Sequence, residues 1–148
     1  MSNNQISLSA LKKALKKASN PRDAIFLQRF FKTGKGQYSE GDIFIGVRVP
    51  QTRLVVKEFR ELPLKDIEEL LHSKIHEERL CALLILVAQF KSGDEALQKK
   101  IYDLYLRSTV HINNWDLVDS SADPIVGAYL FKRDKSILVT LAHSKLLW

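Results

Sequence analysis

An aromatic ring and a carboxylate four residues apart on a helix can act together on a sugar. The ring packs against its carbon face while the anion stabilises positive charge developing beside it. The stretch Asn113-Asn114-Trp115-Asp116-Leu117-Val118-Asp119 offers such a pair. Asn is a residue that caps helix starts, because its side-chain oxygen accepts bonds from the free amides there. A helix beginning near Trp115 puts Trp115 and Asp119 on one face, one turn apart. The same residues admit a structural reading. Most Trp side chains pack, and an Asp early in a helix favours the positive end of the helix dipole.

Two other stretches could meet a polyanion. The glycine-rich run over residues 34–42 lacks the phosphate-loop spacing of Gly, four residues, then Gly-Lys-Ser/Thr, so no nucleotide site is read there. Its glycines permit close backbone approach, and Lys35 and Tyr38 could touch a DNA backbone; a mobile surface loop is the alternative. Arg48 and Arg53 flank a helix start at Pro50, where free amides favour a phosphate. A metal centre is not indicated. His72 and His76 are four apart, but a third ligand and the His-Glu-x-x-His zinc spacing are missing. His76-Glu77-Glu78-Arg79 is expected to make surface ion pairs of small value. His111 and His143 are expected at the surface or between helices.

These residues must be positioned by a single domain over residues 1–148, long enough to bury a core. A hydrophobic content of 45% beside 27% charged residues is that of a globular chain, and there is no apolar run of membrane-spanning length. The lysine-rich start predicts no secretory signal. The single Cys81 allows no internal disulfide and, among Leu80, Ala82 and Leu83, is expected to be a buried inert thiol. A net charge of +6 favours a polyanionic partner, since Lys and Arg contacts to phosphates release counterions.

Helical spacing recurs along nearly the whole chain. Leu8, Leu11, Leu15 and Ala18 form one stripe with lysines between them, capped by Ser7 or Ser9. Asn20-Pro21 closes it and opens a helix over 22–32. Further helices are predicted at about 50–61, 64–73 and 76–91, the last with a wide apolar face through Leu80, Leu83, Leu84 and Val87. Asp94 or Ser92 caps another that reaches about Thr109, with Ile101, Leu104, Tyr105 and Thr109 inward. Asp123-Pro124 kinks the helix from Trp115 or starts a new one with Asp123 as cap. A final helix is predicted over 134–143. The fold class is therefore all-α, without a sheet. Paired helices with short breaks suggest a solenoid of HEAT-like or armadillo-like repeats, although no repeat period is visible.

Asn113 to Asp119 resembles the signature of the bacterial AlkD-type DNA alkylation repair glycosylases. Residues 30–38, Gly46-Val47-Arg48-Val49-Pro50 and His76-Glu77-Glu78-Arg79-Leu80 agree with that family in the same order. Leu141-Ala142-His143-Ser144 and Trp148 complete a resemblance that runs from about residue 30 to the last. Ser39 stands where relatives often carry Gly.

The resemblance implies an α-α superhelix whose concave basic surface fits double-stranded DNA containing alkylated bases. It implies hydrolysis of the N-glycosidic bond of alkylated purines such as 3-methyladenine and 7-methylguanine. Alkylation makes the base cationic and a good leaving group, so no strong acid is needed. Asp119 matches the family's carboxylate, which stabilises an oxocarbenium-like sugar and places water; Trp115 matches the aromatic residue that packs on the deoxyribose. Neither a metal nor an organic cofactor is implied. The implied location is a bacterial-type cytoplasm, at the nucleoid while acting on DNA. Relatives continue beyond Trp148 into further helices, with a phosphate-holding Arg about three residues on. The expectation is thus the N-terminal part of such an enzyme, with little activity by itself and an apolar run, Leu146-Leu147-Trp148, left uncovered. The alternative is a non-catalytic basic helical module that binds DNA or protein.

Overall fold

The architecture, taken from a computed structural model that describes residues 6–148, is all-α. It is consistent with a helical-repeat solenoid. Among the described residues the only strand-like pairing is one parallel bridge, Ile43 to Ile75.

Helix α1, Leu8–Ala18, buries Leu11 and Leu15 completely. Of the two candidate caps it uses Ser7, whose Oγ accepts from the Ala10 amide at 3.2 Å; such a cap is worth about 1 kcal/mol. Helix α2, Pro21–Gln28, is capped by Asn20, which accepts from the amides of Arg22 and Asp23. It stops four residues short of the predicted 32. There the amides of Arg29, Phe30 and Phe31 turn back to carbonyls three residues earlier, a tighter winding that ends the helix. Phe31 is thereby brought over Phe44, with ring centroids 5.0 Å apart.

The glycine-rich stretch is cross-braced. The Gly34 amide donates to Gln37 Oε1 at 2.8 Å, the Gly36 amide to Glu40 Oε2 at 2.7 Å, and the Ser39 amide to the Lys32 carbonyl at 3.0 Å. The chain then runs as a non-helical strap through residues 43–47 toward α3, Val49–Phe59, and α4, Leu64–Leu71. Gly46 is needed in this strap. Its φ of +79° is in the left-handed region, and a Cβ there would lie 1.9 Å from the Asn20 carbonyl oxygen.

Helix α5, His76–Ser92, is the hub. It packs against α1, α3, α4, α6 (Glu95–Arg107), α7 (Trp115–Asp119) and the π-helical turn at Asp123–Gly127. Leu80, Leu83 and Leu84 are buried and Val87 packs on the core, as the apolar face predicted, but burial goes all the way round: every residue over positions 76–86 is buried. The expected surface ion pairs of His76, Glu77, Glu78 and Arg79 are corrected as well: all four side chains are buried and partnered at the first turn. Glu77 accepts from the amides of Ile45, Gly46 and Val47, its closest contact being 2.8 Å to Gly46. Glu78 lies 3.9 Å from Lys12 Nζ on α1. A buried carboxylate needs such partners, because leaving water is costly.

Cys81 is fully buried on α5. Burial, with the Glu78 charge beside it, pushes its thiol up from 9.0 to about 12. The native chain is accordingly expected to resist a thiol reagent that labels it fully in denaturant. Because the folded value is the higher one, this contribution to stability is complete below the unfolded value and is lost as pH rises through it toward about 12. A native chain labelled as fast as the unfolded one would contradict the burial.

Asp94, not Ser92, caps α6, accepting from the Leu97 amide at 2.8 Å. Ile101, Leu104 and Tyr105 face inward as expected, but the helix ends at Arg107 and a 3-10 turn, Thr109–His111, follows. Asp123 is not a helix cap. The backbone is already helical at Ala122, with φ −64° and ψ −50°, and the missing Pro124 amide is absorbed by the wide turn that leads into α8, Ala128–Leu130. The last helix, α9, is Ser136–Ala142. Leu146 and Leu147 are exposed beside it, and with Trp148 they line an apolar cavity of about 740 Å³. No helix among the described residues is long and apolar enough to cross a membrane.

Candidate functional site

Six residues of the 113–119 stretch are tied into the fold, and the seventh is not. Asn114 caps α7: its Oδ1 accepts from the Leu117 amide at 3.1 Å. Its Nδ2 faces His76 Nδ1 at 3.2 Å. His76 Nε2 lies 3.0 Å from Asp116 Oδ2. These contacts agree on one tautomer, in which Nε2–H donates to the Asp116 carboxylate and Nδ1 accepts from the Asn114 amide. Asn113 joins a second cluster. It donates to Asp42 at 3.3 Å and accepts from Arg79 Nη2 at 3.1 Å, while Arg79 Nη2 meets Asp42 Oδ2 at 2.6 Å. Leu117 is fully buried and Val118 packs against the core.

Trp115 is held at an angle that leaves 38% of it exposed. Its ring stacks on Phe31, with centroids 5.3 Å apart and planes 11° apart, and Nε1–H donates to the Phe30 carbonyl at 3.3 Å. Phe31 is backed by Phe44, and Phe44 by His76 at 4.7 Å. A small cavity of about 150 Å³ opens here, lined by Phe31, Phe44, Val49, His76, Trp115 and Asp116 among others. Asp119, one turn further along α7, is exposed, and its side chain has no hydrogen bond or ion pair among the described residues. A fixed aromatic face and an uncommitted carboxylate on one short helix can do what their spacing suggests: hold an apolar face and stabilise a cation next to it.

The phosphate candidates are placed less uniformly. Lys35 is exposed in the braced loop. Tyr38 is half-buried and meets Trp148 edge-to-face at 5.5 Å. This loop is connected to the motif, since Asp42 at its end is the residue that Asn113 and Arg79 grip. Arg53 is exposed on α3, and its side chain has no hydrogen bond or ion pair among the described residues. Arg48 is engaged. Its guanidinium grips both oxygens of Asp23, at 2.7 and 2.9 Å, and lies over the Phe26 ring. Hydrogen bonding to Arg48 holds the Asp23 carboxyl below its usual range, more than its partial desolvation raises it.

The histidines set aside in the sequence have distinct places. His72 and His111 stack on one another at 4.1 Å, and burial, followed by the charges of His72 and Arg79, pushes the His111 value down. His143 is exposed on the C-terminal side. Among the described residues no group of three His, Cys, Asp or Glu side chains could hold a metal ion.

Sequence reasoning foresaw the Asn114 cap but missed the rest of the support behind α7: His76, Asp116, and the Asp42–Arg79–Asn113 cluster. One signal was available. The polar quartet 76–79 is followed by an unbroken apolar run from Leu80 to Val87, which marks a helix enclosed on all sides.

A family model described as DNA alkylation repair enzyme matches residues 11–148. No curated protein and no solved structure matches the chain.

Proposed function

Since the chain belongs to the family of DNA alkylation repair enzymes, we propose that α7 carries its reacting site and that the reaction is hydrolysis of the N-glycosidic bond of alkylated purines in duplex DNA. The carrying observation is the contrast within the motif. Asn113, Asn114, Asp116 and Leu117 are committed to the fold, whereas Asp119 is exposed and unpaired one turn from an exposed, immobilised Trp115.

The chemistry asks for little more. A purine alkylated at a ring nitrogen carries positive charge, so the bond to the sugar breaks with its electron pair moving onto the base. The sugar is left oxocarbenium-like. Asp119, as an anion, stabilises that charge and orients the water that completes hydrolysis. The exposed Trp115 face packs on the deoxyribose carbons and fixes their distance from the carboxylate. 3-Methyladenine and 7-methylguanine are the purines proposed, without a metal or organic cofactor.

Lys35, Tyr38, Arg48 and Arg53 are proposed to contact phosphates, in keeping with the +6 charge. Arg48 must then exchange Asp23 for a phosphate. Asp23→Asn is accordingly expected to tighten duplex binding several-fold at low salt, because the competing anion is gone. Arg53→Ala is expected to shallow the logarithmic salt slope by roughly one unit. Fluorescence anisotropy over a salt series measures both. Weaker binding by Asp23→Asn would remove Arg48 from the interface.

Free base appearing from a methylated duplex, with an abasic site left in the strand, tests the reading as a whole. Duplex binding with no base release would favour the non-catalytic module.

A further inference from the structure

We propose that His76 is the positioning residue of this site: through Asp116 on one side and Asn114 on the other, it sets the start of α7 and hence the direction of Trp115 and Asp119. This rests on the glycosylase reading for its effect on rate, but not for its effect on geometry.

Helix α7 is only five residues long, Trp115–Asp119. A helix that short does not hold its own shape, because nucleation fixes several residues for very few hydrogen bonds. Something outside it must define its first turn. His76 is suited to that. It sits on the first turn of α5, the hub of the fold, and is 3% exposed. Its ring is clamped by Phe44 and Phe31, with centroids 4.7 Å away in each case. A clamped imidazole presents its two nitrogens in fixed, diverging directions. Nε2 meets Asp116, the second residue of α7, at 3.0 Å; Nδ1 meets Asn114, its cap, at 3.2 Å.

Each partner passes the constraint on. Asn114 holds the Leu117 amide with its other side-chain atom. Trp115 lies between the two anchored residues, and its ring rests on the same Phe31 that packs on His76. Asp119 follows three residues after Asp116 along the helix. A loosened first turn therefore moves both the ring and the carboxylate. The Asp42–Arg79–Asn113 cluster cannot substitute, because it ends one residue before the cap.

The imidazole is also hard to replace by chance. The site requires a donor toward Asp116 and an acceptor toward Asn114 on opposite sides of one flat, stackable group. Gln supplies a donor and an acceptor without the ring, and Phe supplies a ring with neither.

The test uses the full chain in a Trp148→Phe background, so that tryptophan emission reports Trp115 alone. His76→Phe keeps the stack and removes both hydrogen bonds. It is expected to raise acrylamide quenching of Trp115 about twofold and to slow base release on the order of 10- to 100-fold, with KM for the methylated duplex within about twofold. His76→Gln is expected to recover most of both losses. Should His76→Phe fail to fold, Asp116→Ala breaks the same chain at a side chain 22% exposed to solvent, and the same two changes are expected. If wild-type protein releases no base, the proposed function fails, and the quenching arm still decides the positioning role. Unchanged Trp115 accessibility in His76→Phe, or in Asp116→Ala if that variant is needed, would overturn the proposal, even if release were slower.

Discussion

Asp119→Asn is expected to slow release of 7-methylguanine and 3-methyladenine from methylated duplex DNA by roughly 100- to 1,000-fold, the scale on which one electrostatic stabiliser of a transition state is felt. The substitution keeps the shape and removes the charge. Since the Asp119 side chain has no hydrogen bond or ion pair among the described residues, the fold loses nothing with its charge. The thermal midpoint is therefore expected to stay within about 1 °C, in line with exposed substitutions worth under about 0.5 kcal/mol. Duplex affinity should hold or rise slightly, because a negative charge near the phosphates is gone. Rates are best compared at low salt with protein in excess over DNA, where binding does not limit turnover. An Asn variant as fast as wild type would remove Asp119 from the reaction.

Arg79→Ala is expected to have the largest effect on stability. Arg79 and Asp42 meet at 2.6 Å with both side chains 5% exposed. Removing the guanidinium leaves a buried carboxylate with only the weak Asn113 donor at 3.3 Å. It also frees the Ser73 carbonyl, which Arg79 Nη1 holds at 3.0 Å. Breaking a buried pair from one side costs about 3–5 kcal/mol, on the order of a 10 °C fall in the midpoint for a chain of this length. Asn113→Ala, which spares the ion pair, should cost about 1 kcal/mol. Thermal denaturation of the two variants side by side checks this. Equal, small losses would mean that the buried pair contributes little.

The α1 stripe, the caps at Asp94 and Asn114, and the burial of Cys81 were all legible because each depends on residues within one turn of one another. The same holds for Trp115 and Asp119, whose spacing alone places them together. What was not legible depends on distant partners. His76 and Asp116 are 40 residues apart, and Arg79 and Asp42 are 37 apart. A local reading of His76-Glu77-Glu78-Arg79 sees four polar side chains and assigns them to solvent. Only the packing of α1, α3, α4, α6 and α7 around α5 turns them into a buried polar layer. The place of Arg48 at a helix start was legible, but its pairing with Asp23, 25 residues away, was not.

The boundary errors have physical causes too. Helix α2 ends at Gln28 because Phe31 is drawn toward Phe44, a tertiary demand that propensity does not contain. Asp123 is not a cap because a π turn absorbs Pro124 without breaking the helix.

A product balance decides whether α7 carries glycosylase chemistry. Wild-type protein in excess is incubated at low salt with a duplex carrying a single 7-methylguanine. Free base is measured by mass spectrometry, and abasic sites by alkaline strand cleavage. However slow their release by this chain, the two products are expected to appear together in equal amounts, undiminished by chelators and suppressed by Asp119→Asn. Tight binding of the duplex with neither product formed, or equal release by Asp119→Asn, would contradict it.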